Sequence, residues 1–108
     1  MISSDVIRGY IDIMILYILL RCDSYGYEIS KYIREFSKEQ YIIKETTLYS
    51  AFNRMEKIGY IESYAGNVTH GKPRTYYCIT GTGRQYYNEK CQEWELTKSV
   101  INSFTEDS

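Results

Sequence analysis

The sequence predicts a mostly α-helical α+β domain: three helices, then a β-hairpin, then one long terminal helix. Three observations predict it. Apolar residues recur at helical spacing from Asp5 to Gly59. Between Tyr60 and Ile79 the pattern changes to the alternation of strands, broken by a stretch rich in turn formers. From Thr82 the helical period returns, with Tyr87, Trp94 and Ile101 seven residues apart. A chain of 108 residues makes one domain with a small core, which contact with a partner would supplement.

The first helix is expected at 5–21, with Ser3, Ser4 and Asp5 as candidate N-caps. Its apolar residues (Val6, Ile7, Tyr10, Ile11, Ile13, Met14, Tyr17, Ile18 and Leu20) cover more than one stripe, so it is expected to be buried on two sides. One side would face the domain core and the other a second subunit. Asp12 interrupts this apolar run. It faces either a pore between subunits or solvent, because burial without a partner is costly.

Asp23 and Ser24 punctuate the start of a second helix at 25–37, with Tyr25, Ile29, Tyr32, Ile33 and Phe36 as its inward positions. After a linker at 37–43 comes the third helix, Lys44 to Gly59. Leu48, Phe52 and Met55 form its inward stripe. Stepping about 100° per residue puts Thr46, Ser50, Asn53 and Lys57 on the opposite side, flanked by Tyr49 and Arg54. Gly59 is placed to end the helix, because glycine accepts positive φ without strain. An outward face of hydroxyls, an amide and cations suits base edges and phosphates, although solvated polar faces are common on amphipathic helices.

Tyr60–Tyr64 and Thr75–Ile79 are read as strands. Ala65–Arg74 is read as the turn between them, with His70, Lys72 and Arg74 near its tip. Three helices followed by a hairpin with a basic tip is the order of a winged helix. The tip would lie beside the third helix and reach phosphates or a minor groove. Thr80 is the N-cap candidate for the last helix, 82–103, where Cys91 and Phe104 lie beside the heptad stripe. That stripe suits packing against another helix, and with the first helix it suggests a homodimer. The expected division is a winged-helix DNA-binding domain at 1–80, with helix 5–21 also in the dimer interface. A dimerisation helix at 81–104 and a flexible tail at 105–108 complete it.

Charge is segregated. The formal net charge is −1. Residues 1–43 carry −1, residues 44–84 carry +3 and residues 85–108 carry −3. The basic block holds the third helix and the hairpin, which is a modest anion-attracting footprint. Cys22, Cys78 and Cys91 are odd in number and lack CxxC spacing, as packing thiols of a reducing compartment do. With one histidine, zinc of the Cys/His type is not expected, and no cofactor is implied. The opening residues carry no leader pattern, and the apolar run Tyr10–Leu20 is too short to span a bilayer, so no membrane partner and a cytoplasmic location are expected. Gly81-x-Gly83 lacks the third glycine of a dinucleotide loop. No nucleophile, base and orienting group can be assembled, so an enzyme is not expected.

Read together, the residues resemble the PadR family of bacterial transcriptional regulators. The matching features are Tyr25-Gly26-Tyr27-Glu28-Ile29, Thr47-Leu48-Tyr49, Arg54-x-Glu56-x-x-Gly59 and Tyr76-Tyr77 before Ile79-Thr80-x-x-Gly83, which together span Val6 to about Phe104. The length is similar to the short branch with a single C-terminal dimerisation helix. The resemblance implies a winged-helix homodimer that represses its own promoter and that of a neighbouring transporter or detoxification gene, through a pseudo-palindromic operator in double-stranded DNA. Thr46, Thr47, Tyr49, Ser50 and Asn53 would approach the major groove. Lys44, Arg54, Lys57, His70, Lys72 and Arg74 would meet phosphates, with an internal ion pair as the other role open to Arg54. Trp94 resembles the tryptophan lining a dimer-interface pore in multidrug-responsive members, which stacks on planar aromatic compounds, and Asp12, Cys91 and Lys98 would share that pore. This chain has Lys98 where those members carry an acid, and Cys91 where they carry an aromatic, so a cationic drug would meet like charge. The other role of Trp94 is to anchor dimer packing. The alternative function is a small-molecule-binding or protein-docking winged helix that does not read DNA specifically.

Overall fold

The computed structural model describes residues 1–69 and 72–105, with the side chains of 67–69 and 72 excepted. The helices are α1 (Ser4–Ile7), α2 (Ile11–Arg21), α3 (Gly26–Phe36), α4 (Glu45–Ile58) and α5 (Gly81–Thr105). The strands are β1 (Ser24–Tyr25), β2 (Ile61–Thr69) and β3 (Lys72–Ile79). The sheet is antiparallel in the order β1-β3-β2. This is the winged-helix order, followed by one long helix.

The first helix is not continuous. Ser3 caps α1 by accepting from the Val6 amide, and Arg8–Tyr10 then tightens into a 3-10 turn at Gly9. Glycine is poor at propagating an α-helix, so the break falls there. Beyond it, α2 is the central helix. Ile15 and Leu16 are fully buried, and Ile11, Ile18 and Leu19 nearly so. Ile13, Met14 and Tyr17 stay half-exposed.

Helix α3 buries Ile29 and Ile33, but Phe36, expected inward, is 65% exposed. It stacks on Tyr17 at 5.7 Å instead, on the lip of an apolar groove of about 260 Å³ shared with Ile13, Met14, Ile18 and Tyr87. The chain turns out of α3 through Lys38 and Glu39, both at positive φ, and returns to bury Tyr41 and Ile43. Helix α4 buries Leu48, Ala51, Phe52 and Met55, and Gly59 ends it in the left-handed conformation at φ 102°.

The hairpin differs from the sequence expectation. The strands run into the stretch read as a turn: β2 continues to Thr69, and β3 begins at Lys72. A register shift between Ala65 and Val68 takes up the glycine and the turn formers within the ladder. The two-residue β1 was not expected at all. Its pairing, Ser24 with Tyr77 and Tyr25 with Tyr76, is a long-range one that no local pattern encodes. Thr80 caps α5 as expected, its hydroxyl oxygen accepting from the Gly83 amide at 3.0 Å. The same hydroxyl donates to the Gly59 carbonyl at 2.7 Å, tying the end of α4 to the start of α5. Residues 106–108 of the expected tail lie outside the described residues, and Thr105 is helical.

Candidate nucleic-acid interface

The third helix places its residues as its 3.6-residue period dictates. With Leu48, Phe52 and Met55 inside, Thr46, Ser50, Asn53 and Lys57 are all exposed. Lys44 stands exposed at the N-cap position, and Thr47 is half-buried. Of the acids on this helix, Glu45 lies in the first turn, and Glu56 accepts a hydrogen bond from Ser63 on β2. The face between them is therefore hydroxyls, an amide and Lys57.

Two residues of the outward set are engaged with the subunit. Tyr49 is 41% exposed; its ring meets Phe52 edge-on at 5.4 Å, and its hydroxyl lies across Gly26 at the start of α3. Arg54 is not a free cation. Its two terminal nitrogens donate to the two carboxylate oxygens of Asp12 at 2.8 and 2.7 Å, a bidentate fork. Those hydrogen bonds raise the guanidinium pKa, against the desolvation that lowers it. Of the two roles open to Arg54 in the sequence, the structure holds the ion pair.

Asp12 is correspondingly not at solvent. It is 6% exposed and accepts a further hydrogen bond from the Tyr86 hydroxyl at 3.1 Å. Burial, and then the Asp12 charge, push the Tyr86 phenol up to about 12, so it stays a donor well into the alkaline range. Sequence reading missed Tyr86. The signal was an aspartate in an apolar helix, which demands partners, but the partner is 74 residues away.

On the hairpin, Arg74 is half-buried and its guanidinium lies 4.3 Å over the Tyr25 ring. Tyr76 and Tyr64 continue the aromatic row, and the Tyr64 hydroxyl donates to Asp23 at 2.6 Å. A cleft of about 420 Å³ lies between hairpin and helices, lined by Tyr25, Tyr27, Tyr49, Arg74 and Thr75 among others. Tyr27 is 70% exposed, and sequence reading gave it no role. The pairing of β1 with β3 brings Tyr25 beside Arg74, and nothing local to either residue announces it. Lys72 opens β3, and His70 lies outside the described residues.

The residues assigned to a pore divide. Trp94 is 40% exposed and meets Tyr10 edge-on at 5.0 Å. Lys98, one turn on, stands 6.0 Å from the indole and pairs with Glu95. Cys91 is half-buried on the same helix. These three share α5, whereas Asp12 is turned to Arg54 and Tyr86 inside the subunit. Among the described residues, no His, Cys, Asp or Glu cluster could hold a metal ion, and no helix is long and apolar enough to cross a membrane.

The family model described as "Transcriptional regulator PadR-like family" matches residues 15–89. A solved transcriptional regulator from Clostridium thermocellum is 63% identical with a TM-score of 0.91, covering 98% of this chain and 100% of that one. A solved PadR family transcription regulator from hypervirulent Clostridium difficile R20291 is 43% identical with a TM-score of 0.78, covering 91% of this chain and 100% of that one. An uncharacterized protein of Lysinibacillus sphaericus is 45% identical over 106 residues, 98% of this chain and 97% of its own length.

Proposed function

This chain belongs to the PadR-like family of transcriptional regulators, whose members are not enzymes, and from that premise we propose that it is a cytoplasmic homodimeric repressor of its own and neighbouring genes. The observation that carries the reading is the third helix: its apolar stripe is buried, and Thr46, Ser50, Asn53 and Lys57 stand free on the other side. In this reading Asn53, Ser50 and Thr46 meet base edges. Lys44, Lys57, Lys72, His70 and Arg74 meet phosphates, which give affinity without sequence preference.

Residues 1–80 form the reading unit and 81–104 the dimer helix. The exposure of Val100 (48%), Ile101 (54%) and Phe104 (83%) along the end of α5 supports a second copy as its cover, as does the apolar groove between α2 and α3. A half-exposed Trp94 beside Tyr10 supports release by a planar aromatic compound at that interface, with Lys98 disfavouring cationic ones.

Light scattering and gel shift on duplexes from the chain's own upstream region test the proposal. A dimer, a palindromic footprint and affinity that falls steeply with salt are expected. Lys72→Ala weakens binding to every duplex, whereas Asn53→Ala also changes base preference. Lone subunits at working concentration, or no preference over random duplex, refute it. If Trp94 fluorescence is quenched by a planar dye while DNA binding stays non-specific, the chain is instead a ligand-binding winged helix.

A further inference from the structure

We propose that Tyr86 is a positioning residue that fixes the angle of α4 relative to the dimer helix α5, and so sets the half-site spacing that a dimer reads. The inference rests on the dimeric reading of DNA proposed above. It is carried by one side chain that reaches α4 indirectly by two routes, through Asp12 and through Tyr60. The Tyr86 hydroxyl donates to Asp12 at 3.1 Å, and Asp12 takes the bidentate fork of Arg54 from the middle of α4. The Tyr86 ring lies flat on Tyr60, 4.1 Å between centroids and 12° between planes, and Tyr60 is the first residue after the Gly59 cap.

The apolar contacts of α4 cannot do this alone. Burial of Leu48, Phe52 and Met55 decides which side of the helix faces the core, but apolar burial is non-directional and leaves the tilt of the helix axis relative to α5 unset. A planar guanidinium fork has a fixed direction, and Asp12 is its fixed point because α2 is the buried centre of the fold. Tyr86 makes the same carboxylate a fixed point for α5. Two copies joined through α5 then present their α4 helices at a separation that depends on this junction, and operator half-sites lie a set distance apart for the same reason.

The experiment compares the full-length chain with Tyr86→Phe, which keeps the ring and removes the hydroxyl. The DNA probe is the duplex that the wild-type chain selects from a random library, remade with its central spacer one and two base pairs longer and shorter. Wild type is expected to prefer the selected spacing. Tyr86→Phe, still dimeric and with an unchanged salt slope, is expected to lose roughly three- to tenfold of that preference, the scale of one typical hydrogen bond. A second readout needs no DNA: amide exchange is expected to quicken along 53–57 by a similar factor while 15–19 keep their rates. An unchanged spacing preference overturns the proposal, as does a uniform affinity loss that tracks stability, or exchange that quickens everywhere or nowhere. A wild-type chain that selects no duplex overturns the operator reading instead, and the exchange measurement still decides whether Tyr86 steadies α4.

Discussion

Gly26→Ala tests how α4 is seated on α3. Gly26 begins α3, and a Cβ built on it would lie 2.3 Å from the Tyr49 hydroxyl oxygen and 2.9 Å from Cζ. Carbon meets other heavy atoms comfortably at about 3.5 Å, so the ring must retreat by about 1 Å. Tyr49 is already 41% exposed and can swing outward, but its edge contact with the fully buried Phe52 is then lost. Overpacking costs about 1–3 kcal/mol, and the outward route places this case at about 1–2 kcal/mol. The three atoms nearest the added Cβ all belong to Tyr49, so removing that side chain removes the conflict. In a Tyr49→Ala background the same substitution is expected to be neutral or to stabilise by up to about 1 kcal/mol, because alanine gives up less backbone freedom in a helix than glycine. Urea unfolding of the four chains measures the coupling, expected at about 2 kcal/mol. A Gly26→Ala cost that is equal in both backgrounds refutes the reasoning. So does a stabilising effect with Tyr49 present.

Three further outcomes follow from the same contacts. Arg54→Met leaves the Asp12 carboxylate buried with Tyr86 as partner and is expected to lose about 2–3 kcal/mol, at the low end for a broken buried pair because half of the Arg54 side chain is exposed. Asp12→Leu with Arg54→Met should recover most of that loss, and urea midpoints that simply add would deny the pairing. Thr80→Ala removes both the cap of α5 and the bond to the Gly59 carbonyl, so thermal unfolding should report a loss of about 1–2 kcal/mol, whereas Thr80→Ser should lose little. At alkaline pH, the phenols of Tyr86 and Tyr87, raised chiefly by burial, and of Tyr64, raised chiefly by its bond to Asp23, sit at about 12 rather than near 10. A raised pKa favours the protonated folded form, so this stability is full below pH 10 and is lost as pH rises through about 12. Tyrosinate absorbance that develops entirely near pH 10 in the folded chain would contradict it.

The sequence by itself determined the buried face of α4 and the ends marked by a glycine or a capping hydroxyl. The stripe of Leu48, Phe52 and Met55 fixed which side of α4 faces out, because a 3.6-residue period leaves no choice once those three are buried. Gly59 marked a helix end through its backbone freedom, and Thr80 a helix start through its side-chain hydroxyl. Tertiary structure alone decided the partners. Asp12 found Arg54 42 residues away and Tyr86 74 residues away, and Tyr25 came under Arg74 only because β1 pairs with β3. Phe36 went to the surface because its contact is Tyr17 across a groove and not the core. The physical reason is range: periodicity and capping act over a few residues, whereas an ion pair or a strand pairing joins groups whose separation along the chain carries no signal of their closeness in space.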